Sequence, residues 1–404
     1  MKIIYFSPHP YLYADIASGP GAHMREMMAA FKRAGHEVLP VIMGEEIKGK
    51  DWIGQQDFKH ETSFKARIKR KVPRLLWETV KDFRLQQHDR KAKRKLLAAI
   101  RDFQPDMIYE RGYYMMLSGI EAAKESDIFH VFEMNAPYPE ERILMEGSSL
   151  LLTKAAKNEQ IQLNQSDLIV VVSTALLDYT KARLNGNGDK IIVTPNAIDI
   201  APQVSSPAEK NMLKKRWNIP EDATVFGFVG SIFPYHGVDK LIDAFNRLLK
   251  THAGIHLLIV GNGHALNSLR RQVMDLGIHD NVSFTGGVSY VEAPDFIQIM
   301  DVAVMANSNW YGSPVKIFEY GAAEKAIIAP DVSPLRDALK NGIDGILVTP
   351  DQENLVRAMI TMLEDLPLRD RMAKHFKEKV IAEHTWDLMS ERILETAKKM
   401  LSQS

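Results

Sequence analysis

The chain contains no cysteine, which excludes disulfide bonds, thiolate metal sites and cysteine nucleophiles and fits a reducing compartment. It also lacks long hydrophobic runs, since none approaches the roughly 20 apolar residues that span a bilayer. The N-terminal run Ile3–Phe6 is too short for a signal peptide and is predicted to be a buried first strand. No D-x-D segment is present, so the sequence predicts neither a metal ion nor a cofactor. We therefore expect a cytoplasmic protein.

Charge is balanced over the whole chain but not along it. The 404 residues favour two domains, and contents of 45% apolar and 25% charged residues are typical of soluble globular proteins. Between Lys65 and Lys95 there are 13 Lys and Arg but three Asp and Glu. Because the net charge is zero, the rest of the chain is acidic overall.

Short apolar runs alternate with glycine-rich turns and helical stretches in the first half. This alternation predicts an α/β domain with a parallel sheet and helices on both faces. A loop is expected at Ser18–His23, followed by a helix at Met24–Arg33. The predicted strands of this half are Ile3–Phe6, Val38–Ile42, Met107–Tyr109, Phe129–Glu133, Leu168–Val172 and Ile191–Thr194.

The alternation restarts after Ile200–Lys214, a polar stretch without periodicity that contains two prolines and is the predicted linker. We expect two doubly wound, Rossmann-like domains at residues 1–204 and 205–383, followed by a last helix at 384–404. A ligand should lie between the domains, at the carboxyl ends of their strands. The predicted strands of the second half are Val225–Val229, Leu257–Val260, Val282–Phe284, Val302–Met305, Ala326–Ala329 and Ile346–Val348.

Three glycine-containing loops follow predicted strands. Gly19–Gly21 precedes the first helix, where glycines let the backbone approach a ligand and free helix amides favour an anion. Because it does not satisfy G-x-G-x-x-G, a plain tight turn is the competing interpretation. Gly230 ends one strand of the second half, and Gly261 and Gly263 follow another. His236 lies just before a helix, where it could meet a phosphate or remain a solvated loop histidine.

The segment S-P-V-K-I-F-E-Y-G carries two charged residues on one predicted helix face. Ser313 is the expected N-cap and Pro314 the expected first helical residue. Lys316 and Glu319 are three residues apart and therefore share a face. At a ligand cleft the carboxylate can accept two ribose hydroxyls and the lysine can meet a phosphate. On an ordinary surface the same residues would form an ion pair.

Polar residues also end the strand Phe129–Glu133. Glu133 and Asn135 lie in F-E-M-N-A-P, at an otherwise apolar strand end. They are candidates to contact the donor sugar or the acceptor, although either could instead cap the turn that follows. Glu110 and Arg111 are further candidates for acceptor contact.

Together these segments resemble glycosyltransferase family 4, the retaining enzymes of GT-B architecture. The resemblance covers nearly the whole chain. It rests on ten motifs in order: G-P-G-A-H with A-G-H-E-V, P-D-M-I-Y-E-R, F-E-M-N-A-P, S-D-L-I-V-V-V-S, T-P-N-A-I-D, V-G-S…H-G-V-D-K-L-I-D-A-F, L-I-V-G-N-G-H, N-V-S-F-T-G-G-V, M-D-V-A-V-M and K-I-F-E-Y-G-A-A. It implies transfer of a sugar from a nucleotide diphosphate-sugar to a glycan or lipid-linked acceptor, with the anomeric configuration kept. It also implies that the first domain binds the acceptor, that the second binds the donor, and that the last helix crosses back onto the first.

The resemblance assigns roles to particular residues. Glu319 matches the second glutamate of the family's E-x7-E motif, which holds the nucleotide ribose. Tyr311 occupies the position of the first glutamate, which normally contacts the donor sugar. Gly19 and Gly21 match the glycine turn that approaches the donor phosphates. The strand end Phe284–Val288 matches the backbone that cradles the base, which makes Gly286 and Val288 the binding positions.

Further departures concern the leaving diphosphate and the acceptor side. Many members place an arginine and a lysine where this chain has Ser231 and His236. We therefore infer that Lys316, the helix amides near Val315, and His236 share the phosphate contacts. A histidine that the family often has near the end of Phe129–Glu133 is missing, which leaves Glu133 and Asn135 as its possible replacements.

Residues 63–100 are predicted to form basic amphipathic helices. Phe64, Ile68 and Val72 are four residues apart, and after Pro73 the apolar set restarts with Leu75, Leu76, Val80 and Phe83. Each basic residue near an anionic bilayer contributes about 1 kcal/mol, so peripheral attachment to the inner face of the membrane is expected. The alternatives are an anionic polysaccharide acceptor and a solvated face packed on the core. Nucleic acid is not expected, because the positive charge is confined and no recognition motif accompanies it.

One competing function belongs to a different class. A non-catalytic GT-B subunit that binds nucleotide or membrane in support of a partner enzyme would tolerate the changes at Tyr311, Ser231 and His236. Nucleotide-sugar epimerases and phosphorylases share the architecture. Motif agreement along the full chain argues against both, as does the lack of a lysine site that resembles a pyridoxal attachment.

Overall fold

The computed structural model describes residues 1–15, 18–47, 72–186, 188–199 and 206–403. The chain divides into two compact units. The first comprises residues 1–16, 20–195 and 387–404, and the second comprises 17–19 and 196–386. Of the described helices, none combines the length and the apolar character that crossing a membrane requires.

The first unit is built on a six-stranded parallel sheet with the order β2-β1-β3-β4-β5-β6. Its strands are β1 (Lys2–Ser7), β2 (Glu37–Ile42), β3 (Met107–Arg111), β4 (Phe129–Met134), β5 (Leu168–Val171) and β6 (Ile191–Val193). All six predicted strands of this half are confirmed. The chain reverses its winding between β1 and β3, which places a switch point between these two strands.

Helices cover both faces of this sheet, as the alternating pattern predicts. They are α1 (Gly19–Arg33), α2 (Arg74–Phe103), α3 (Ser118–Ser126), α4 (Tyr138–Met145), α5 (Leu152–Gln165) and α6 (Thr174–Lys181). Short 3-10 turns lie at Met43–Ile47 and Gly188–Lys190. On one face, Leu96 and Ile100 of α2 pack on Ile4 and Phe6 of β1, and all four side chains are buried.

The second unit contains another six-stranded parallel sheet, with the order β12-β11-β10-β7-β8-β9. Its strands are β7 (Thr224–Val229), β8 (Ile255–Val260), β9 (Val282–Gly286), β10 (Val302–Val304), β11 (Ala326–Pro330) and β12 (Ile346–Val348). These six predicted strands are also confirmed. The winding reverses between β7 and β10, the arrangement in which doubly wound sheets bind ligands.

Eight helices of the described chain surround this second sheet. They are α7 (Pro207–Arg216), α8 (Val238–Leu249), α9 (Leu266–Asp275), α10 (Ala293–Gln298), α11 (Val315–Ala322), α12 (Ser333–Ala338), α13 (Gln352–Glu364) and α14 (Leu366–Glu383). The predicted inner face of α8 is confirmed, because Val238, Leu241, Ile242 and Phe245 are all buried. The last helix, α15 (Trp386–Leu401), belongs to the first unit from Asp387 onward.

Two predicted irregular segments are helical. The loop expected at Ser18–His23 is wrong from Gly19, where α1 already begins. Pro20 suits this first turn because its missing N–H would have no partner within the helix.

The predicted linker is also helical from Pro207, and its residues 200–205 lie outside the described ranges. Ser206 caps α7 by a reciprocal pair of hydrogen bonds with Glu209: the Glu209 N–H donates to Ser206 Oγ, and the Ser206 N–H donates to the Glu209 carboxylate.

Candidate functional site

The loops that follow β7, β8 and β9 pack on one another at the carboxyl end of the second sheet. The Gly261 N–H donates to Gly286 O at 2.9 Å. A Cβ on Gly261 would lie 1.9 Å from Gly230 O, and one on Gly263 would lie 2.2 Å from Ile232 O. Side chains cannot fit at these contacts, so glycine is required. The four glycines singled out in this half of the sequence therefore form one layer.

Lys316 of α11 reaches this layer next to the switch point. Its Nζ atom lies 4.3 Å from the centroid of the Phe228 ring, the geometry of a cation–π pair. A Cβ on Gly230, whose φ is +141°, would lie 2.6 Å from the same Nζ atom. The Nζ atom is buried and has no hydrogen-bond acceptor among the described residues. Burial lowers the pKa of Lys316 to about 7, although the charge of Glu319 acts in the opposite direction.

Glu319 lies one turn further along α11 and is only partly exposed. Burial raises the pKa of its carboxyl group to about 7, and the nearby Lys316 limits the rise. The two side chains influence each other electrostatically but form no direct ion pair. This is not the geometry of an exposed, paired lysine and glutamate. Both charged groups are held largely away from water at the carboxyl end of the sheet, as expected for a polar ligand site.

His236 closes a 3-10 turn, Pro234–His236, directly before α8. Its side chain is buried, so the solvated histidine considered from the sequence is wrong. Nδ1 lies 2.6 Å from Ser231 O, which identifies Nδ1 as the protonated nitrogen of the neutral ring. Burial, followed by the charge of Lys316, lowers the His236 pKa to about 3. His236 is therefore neutral, and positive charge in this region comes from Lys316.

Ser313 is not the N-cap of α11. The residue before the helix is Pro314, with an extended ψ of 115°, and the helix begins at Val315. Ser313 Oγ instead accepts a hydrogen bond from the Asn196 N–H at 3.0 Å, and the Asn196 side chain donates to Ser313 O. Ser313 therefore fixes the loop that leads into α11. Gly19 lies beside this point, since a Cβ there would be 4.0 Å from the Val315 side chain.

The remaining predicted positions lie in different parts of the chain. Val288 follows β9 and is partly buried against the core. Tyr311, in the loop before α11, is 2% exposed, so its ring belongs to the interior. Gly21 lies in α1 and is buried within the first unit.

A second cluster of polar side chains surrounds Glu133 in the first unit. The Glu133 carboxylate accepts from Tyr109 Oη at 2.8 Å, from Arg111 Nη1 at 2.5 Å and from Asn135 Nδ2 at 2.6 Å, and it lies 3.0 Å from His23 Nε2. Burial alone would raise the pKa of Glu133, but His23, Arg111 and the hydrogen bonds hold it at about 2.

This environment makes Glu133 a fixed anion rather than a free base. With four donors around two oxygens, its acceptor capacity is largely used. Asn135 is bound to the same carboxylate. The sequence did not single out His23 or Tyr109, although His23 ends the motif G-P-G-A-H. His23 meets Glu133 across 110 positions of the chain, so no local pattern in the sequence marks it.

Glu110 does not join this cluster. Its carboxylate lies 2.9 Å from His130 Nε2 and accepts from Gln162 Nε2 at 3.3 Å, and all three side chains are buried. Successive side chains of a strand point to opposite faces of the sheet, so Glu110 and Arg111 lie on opposite faces. The expectation that Glu110 contacts an acceptor is therefore wrong. In the described ranges, no group of three His, Asp or Glu side chains has the arrangement of a metal site.

Known protein families match both units. Residues 17–202 match the family described as Glycosyltransferase Family 4, and residues 209–379 match Glycosyl transferases group 1. The chain belongs to glycosyltransferase family 4.

Relatives within this group are similar over part of their length. A GDP-mannose-dependent alpha-(1-6)-phosphatidylinositol monomannoside mannosyltransferase of Mycobacterium tuberculosis is 28% identical over 240 residues, which is 56% of this chain and 60% of that protein. A D-inositol 3-phosphate glycosyltransferase of Stackebrandtia nassauensis is 27% identical over 252 residues, 60% of this chain and 56% of that protein. The match thus spans about 60% of the length of these curated relatives.

Solved structures match the whole chain. The crystal structure of HepE from Anabaena in complex with UDP superposes with a TM-score of 0.73 and 17% identity, covering 99% of this chain and 100% of HepE. At this identity the likeness shows the fold, which is GT-B. The predicted fold class is therefore confirmed.

Proposed function

We propose that this chain is a retaining, metal-independent glycosyltransferase that moves a sugar from a nucleotide diphosphate-sugar to a glycan or lipid-linked acceptor. The observation that carries the proposal is the buried Nζ atom of Lys316, which has no acceptor of its own among the described residues. Burying such a group without a partner is unfavourable. An anionic ligand at the glycine layer supplies the missing acceptor.

The same geometry gives the donor its orientation. A diphosphate beside Gly230 reaches Lys316 and the free amides at the start of α11 around Val315. The ribose hydroxyls then meet Glu319 one turn along the helix. At Gly286 a Cβ would meet nothing within 4 Å, so the open space there leaves room for the base and sugar to approach the backbone.

Lys316 acts on the leaving group. In transfer, the bond between the sugar's anomeric carbon and the diphosphate oxygen breaks, and a bond to the acceptor hydroxyl oxygen forms on the same face. The acceptor's proton passes to the departing diphosphate. Positive charge on Lys316 stabilises the negative charge that develops on the leaving oxygen. This scheme requires no protein nucleophile.

The proposed acceptor is supported by a polar cluster in the first unit and by the names of the relatives. The cluster of Glu133, Asn135, His23 and Arg111 provides polar groups at the end of β4. The mycobacterial relative is named for a phosphatidylinositol acceptor, which favours a lipid-linked saccharide here. Peripheral attachment at the inner face of an anionic membrane is part of the proposal. Of the predicted basic segment 63–100, residues 63–71 lie outside the described ranges.

A non-catalytic subunit is the less favoured function. The relatives are named as transferases, and the chain keeps an unpartnered lysine beside a half-buried glutamate. Such a pair lowers the free energy of unfolding unless a ligand binds to it, so its presence indicates a binding function.

Calorimetric titration of the full chain with UDP, GDP and ADP tests the proposal. We expect one of them to bind, and binding to persist in EDTA. Nuclear magnetic resonance of the product formed from the matching nucleotide sugar should show the anomeric configuration of the donor. Failure of all three nucleotides to bind would overturn the donor site, and an inverted product would overturn retention.

A further inference from the structure

The first half of α2 buries its acidic face and exposes its apolar face, the reverse of what an amphipathic helix packed on a core would do. Its acidic residues Glu78 and Asp82 are buried, and both approach Arg142, at 2.7 Å and 3.5 Å. Phe83 is 54% exposed, and Leu75, Leu76 and Val80 are exposed with it. The solvated face packed on the core, considered from the sequence, is therefore wrong for this half of the helix. Its apolar residues face solvent.

A neighbouring segment adds further exposed apolar side chains. Leu150 is 62% exposed, and its N–H donates to Thr79 Oγ1 of α2 at 3.0 Å. Arg74 at the start of α2 donates to Glu146 O through Nε at 3.1 Å and through Nη2 at 2.8 Å. These bonds hold the end of α4 and the following loop against α2. The resulting apolar patch consists of Leu75, Leu76, Val80, Phe83, Ile143, Leu144, Met145 and Leu150.

The concentration of these residues is not that of an ordinary surface. Among the described residues of the first unit, eight of the nine large hydrophobic side chains that are exposed belong to the apolar patch, and the ninth is Leu388. Contiguous apolar patches on soluble proteins mark interaction sites.

Positive charge continues along the same exposed face of α2. Arg84, Arg90 and Arg94 follow Val80 and Phe83 at helical spacing, and all three are exposed. The first exposed acidic residue of the helix is Asp102, near its end. Exposed apolar side chains next to a cationic row are the composition of a surface that binds the interface of an anionic bilayer.

We propose that the apolar patch inserts into the headgroup region of an anionic lipid bilayer while Arg84, Arg90 and Arg94 contact lipid phosphates. The inference rests on the membrane attachment in the proposed function, but not on sugar transfer. Residues 48–71 of the chain are a rival occupant of the patch. They contain eight Lys and Arg against three Asp and Glu, so their charge does not complement the cationic row. A second copy of the chain is the other rival.

The absence of cysteine allows a direct test. Phe83→Cys and Leu144→Cys are each labelled with an environment-sensitive fluorophore, with Met274→Cys, an exposed position of the second unit, as control. Vesicles of phosphatidylglycerol and phosphatidylcholine should shift the emission of the first two to the blue, and brominated lipids should quench it. The control should not respond. Emission that is already blue-shifted without vesicles and unchanged by them would show that protein covers the patch, and would overturn the proposal.

Sedimentation with the same vesicles measures the contribution of each part. Phe83→Asp should lower the partition coefficient by roughly tenfold or more, since a buried large apolar side chain contributes that much. Arg90→Gln should lower it about fivefold and reduce its salt dependence. Met274→Asp should leave it unchanged. Equal binding to pure phosphatidylcholine would contradict the role of anionic lipid.

Nucleotide titration of the same variants separates the two proposals. None of the substituted residues lies in the glycine layer or on α11, so nucleotide affinity should equal that of the parent chain. Loss of vesicle binding with intact nucleotide binding supports the patch alone. Vesicle binding that survives Phe83→Asp and Leu144→Asp would overturn it whatever the outcome for the donor.

Discussion

The Nζ atom of Lys316 lies 4.3 Å from the centroid of the Phe228 ring, in a buried position without a hydrogen-bond acceptor among the described residues. The aromatic face offsets only part of the lost hydration of an ammonium group. The lysine therefore lowers the stability of the free protein and becomes favourable when an anion binds beside it. Lys316 should therefore reduce the stability of the free protein and increase its affinity for nucleotide, and each effect can be tested.

Lys316→Met should raise the stability of the free protein. Because burial lowers the Lys316 pKa from 10.5 to about 7, the folded state resists protonation that the unfolded state accepts. The destabilisation is absent above about pH 10.5 and grows as the pH falls towards 7, where it becomes constant. We expect a higher midpoint of thermal unfolding at pH 7, by a few degrees, and a smaller gain at pH 10. A lower midpoint at pH 7 would show that Lys316 stabilises the fold.

Nucleotide binding should be coupled to proton uptake at Lys316. In the free protein the Lys316 pKa is about 7, and a bound diphosphate raises it. Binding therefore takes up protons above pH 7, and affinity falls as the pH rises from 7 to 9. Calorimetry in buffers of different ionisation enthalpy measures the uptake directly. Lys316→Met should bind more weakly and without this uptake. Equal uptake in the variant would assign the proton to another group.

Gly230→Ala should impair nucleotide binding more than stability. The new Cβ would lie 2.6 Å from Lys316 Nζ at a φ of +141°, so the lysine must move. Gly186→Ala is a matched control, since its φ is +122° but its Cβ would meet nothing within 4 Å. Both variants carry backbone strain of about 1–3 kcal/mol. Titration should show at least about a tenfold loss for Gly230→Ala alone, since 1.4 kcal/mol corresponds to tenfold. Equal losses would mean that strain, not the lysine, is responsible.

Glu133→Gln should destabilise the first unit with a defined pH dependence. Removing the charge from this buried, hydrogen-bonded cluster costs about 3–5 kcal/mol, because Arg111 loses its counter-charge. The Glu133 pKa is lowered from 4.5 to about 2, so its stabilisation is present above pH 4.5 and lost as the pH falls towards 2. The difference between parent and variant in denaturant unfolding should therefore shrink below pH 4.5. A difference that is constant from pH 6 to 3 would contradict a charged Glu133.

The sequence predicts strands and shared helix faces well because both depend on local patterns. Most of the 12 strands are apolar runs, as at Val302–Val304, or alternate apolar with polar residues, as at Val282–Gly286. The three-residue spacing of Lys316 and Glu319 places them on one face of α11. Boundaries are less well predicted, since Gly19 and Pro207 begin helices where loops were expected.

Orientation and burial could not be predicted, because they depend on partners far along the chain. Periodicity shows that Leu76 and Val80 share a face of α2, but not that this face points outward. The orientation of α2 depends on Arg142, 64 residues beyond Glu78. Its guanidinium group donates a hydrogen bond to the Glu78 carboxylate, and the acidic face of the helix is therefore buried. The cluster of polar side chains around Glu133 depends in the same way on His23, which lies 110 residues earlier in the chain.

Release of nucleoside diphosphate from a nucleotide sugar, measured on the full chain and its Glu319→Gln variant, tests the central claim most directly. We expect one donor, of a panel carrying uridine, guanosine and adenosine, to be turned over, at least slowly, with water as acceptor. Glu319→Gln should lose most of this activity, whereas Glu353→Gln, an exposed control on α13, should keep it. Turnover that is undiminished in Glu319→Gln, or absent with every donor, would contradict a donor site built on Lys316 and Glu319.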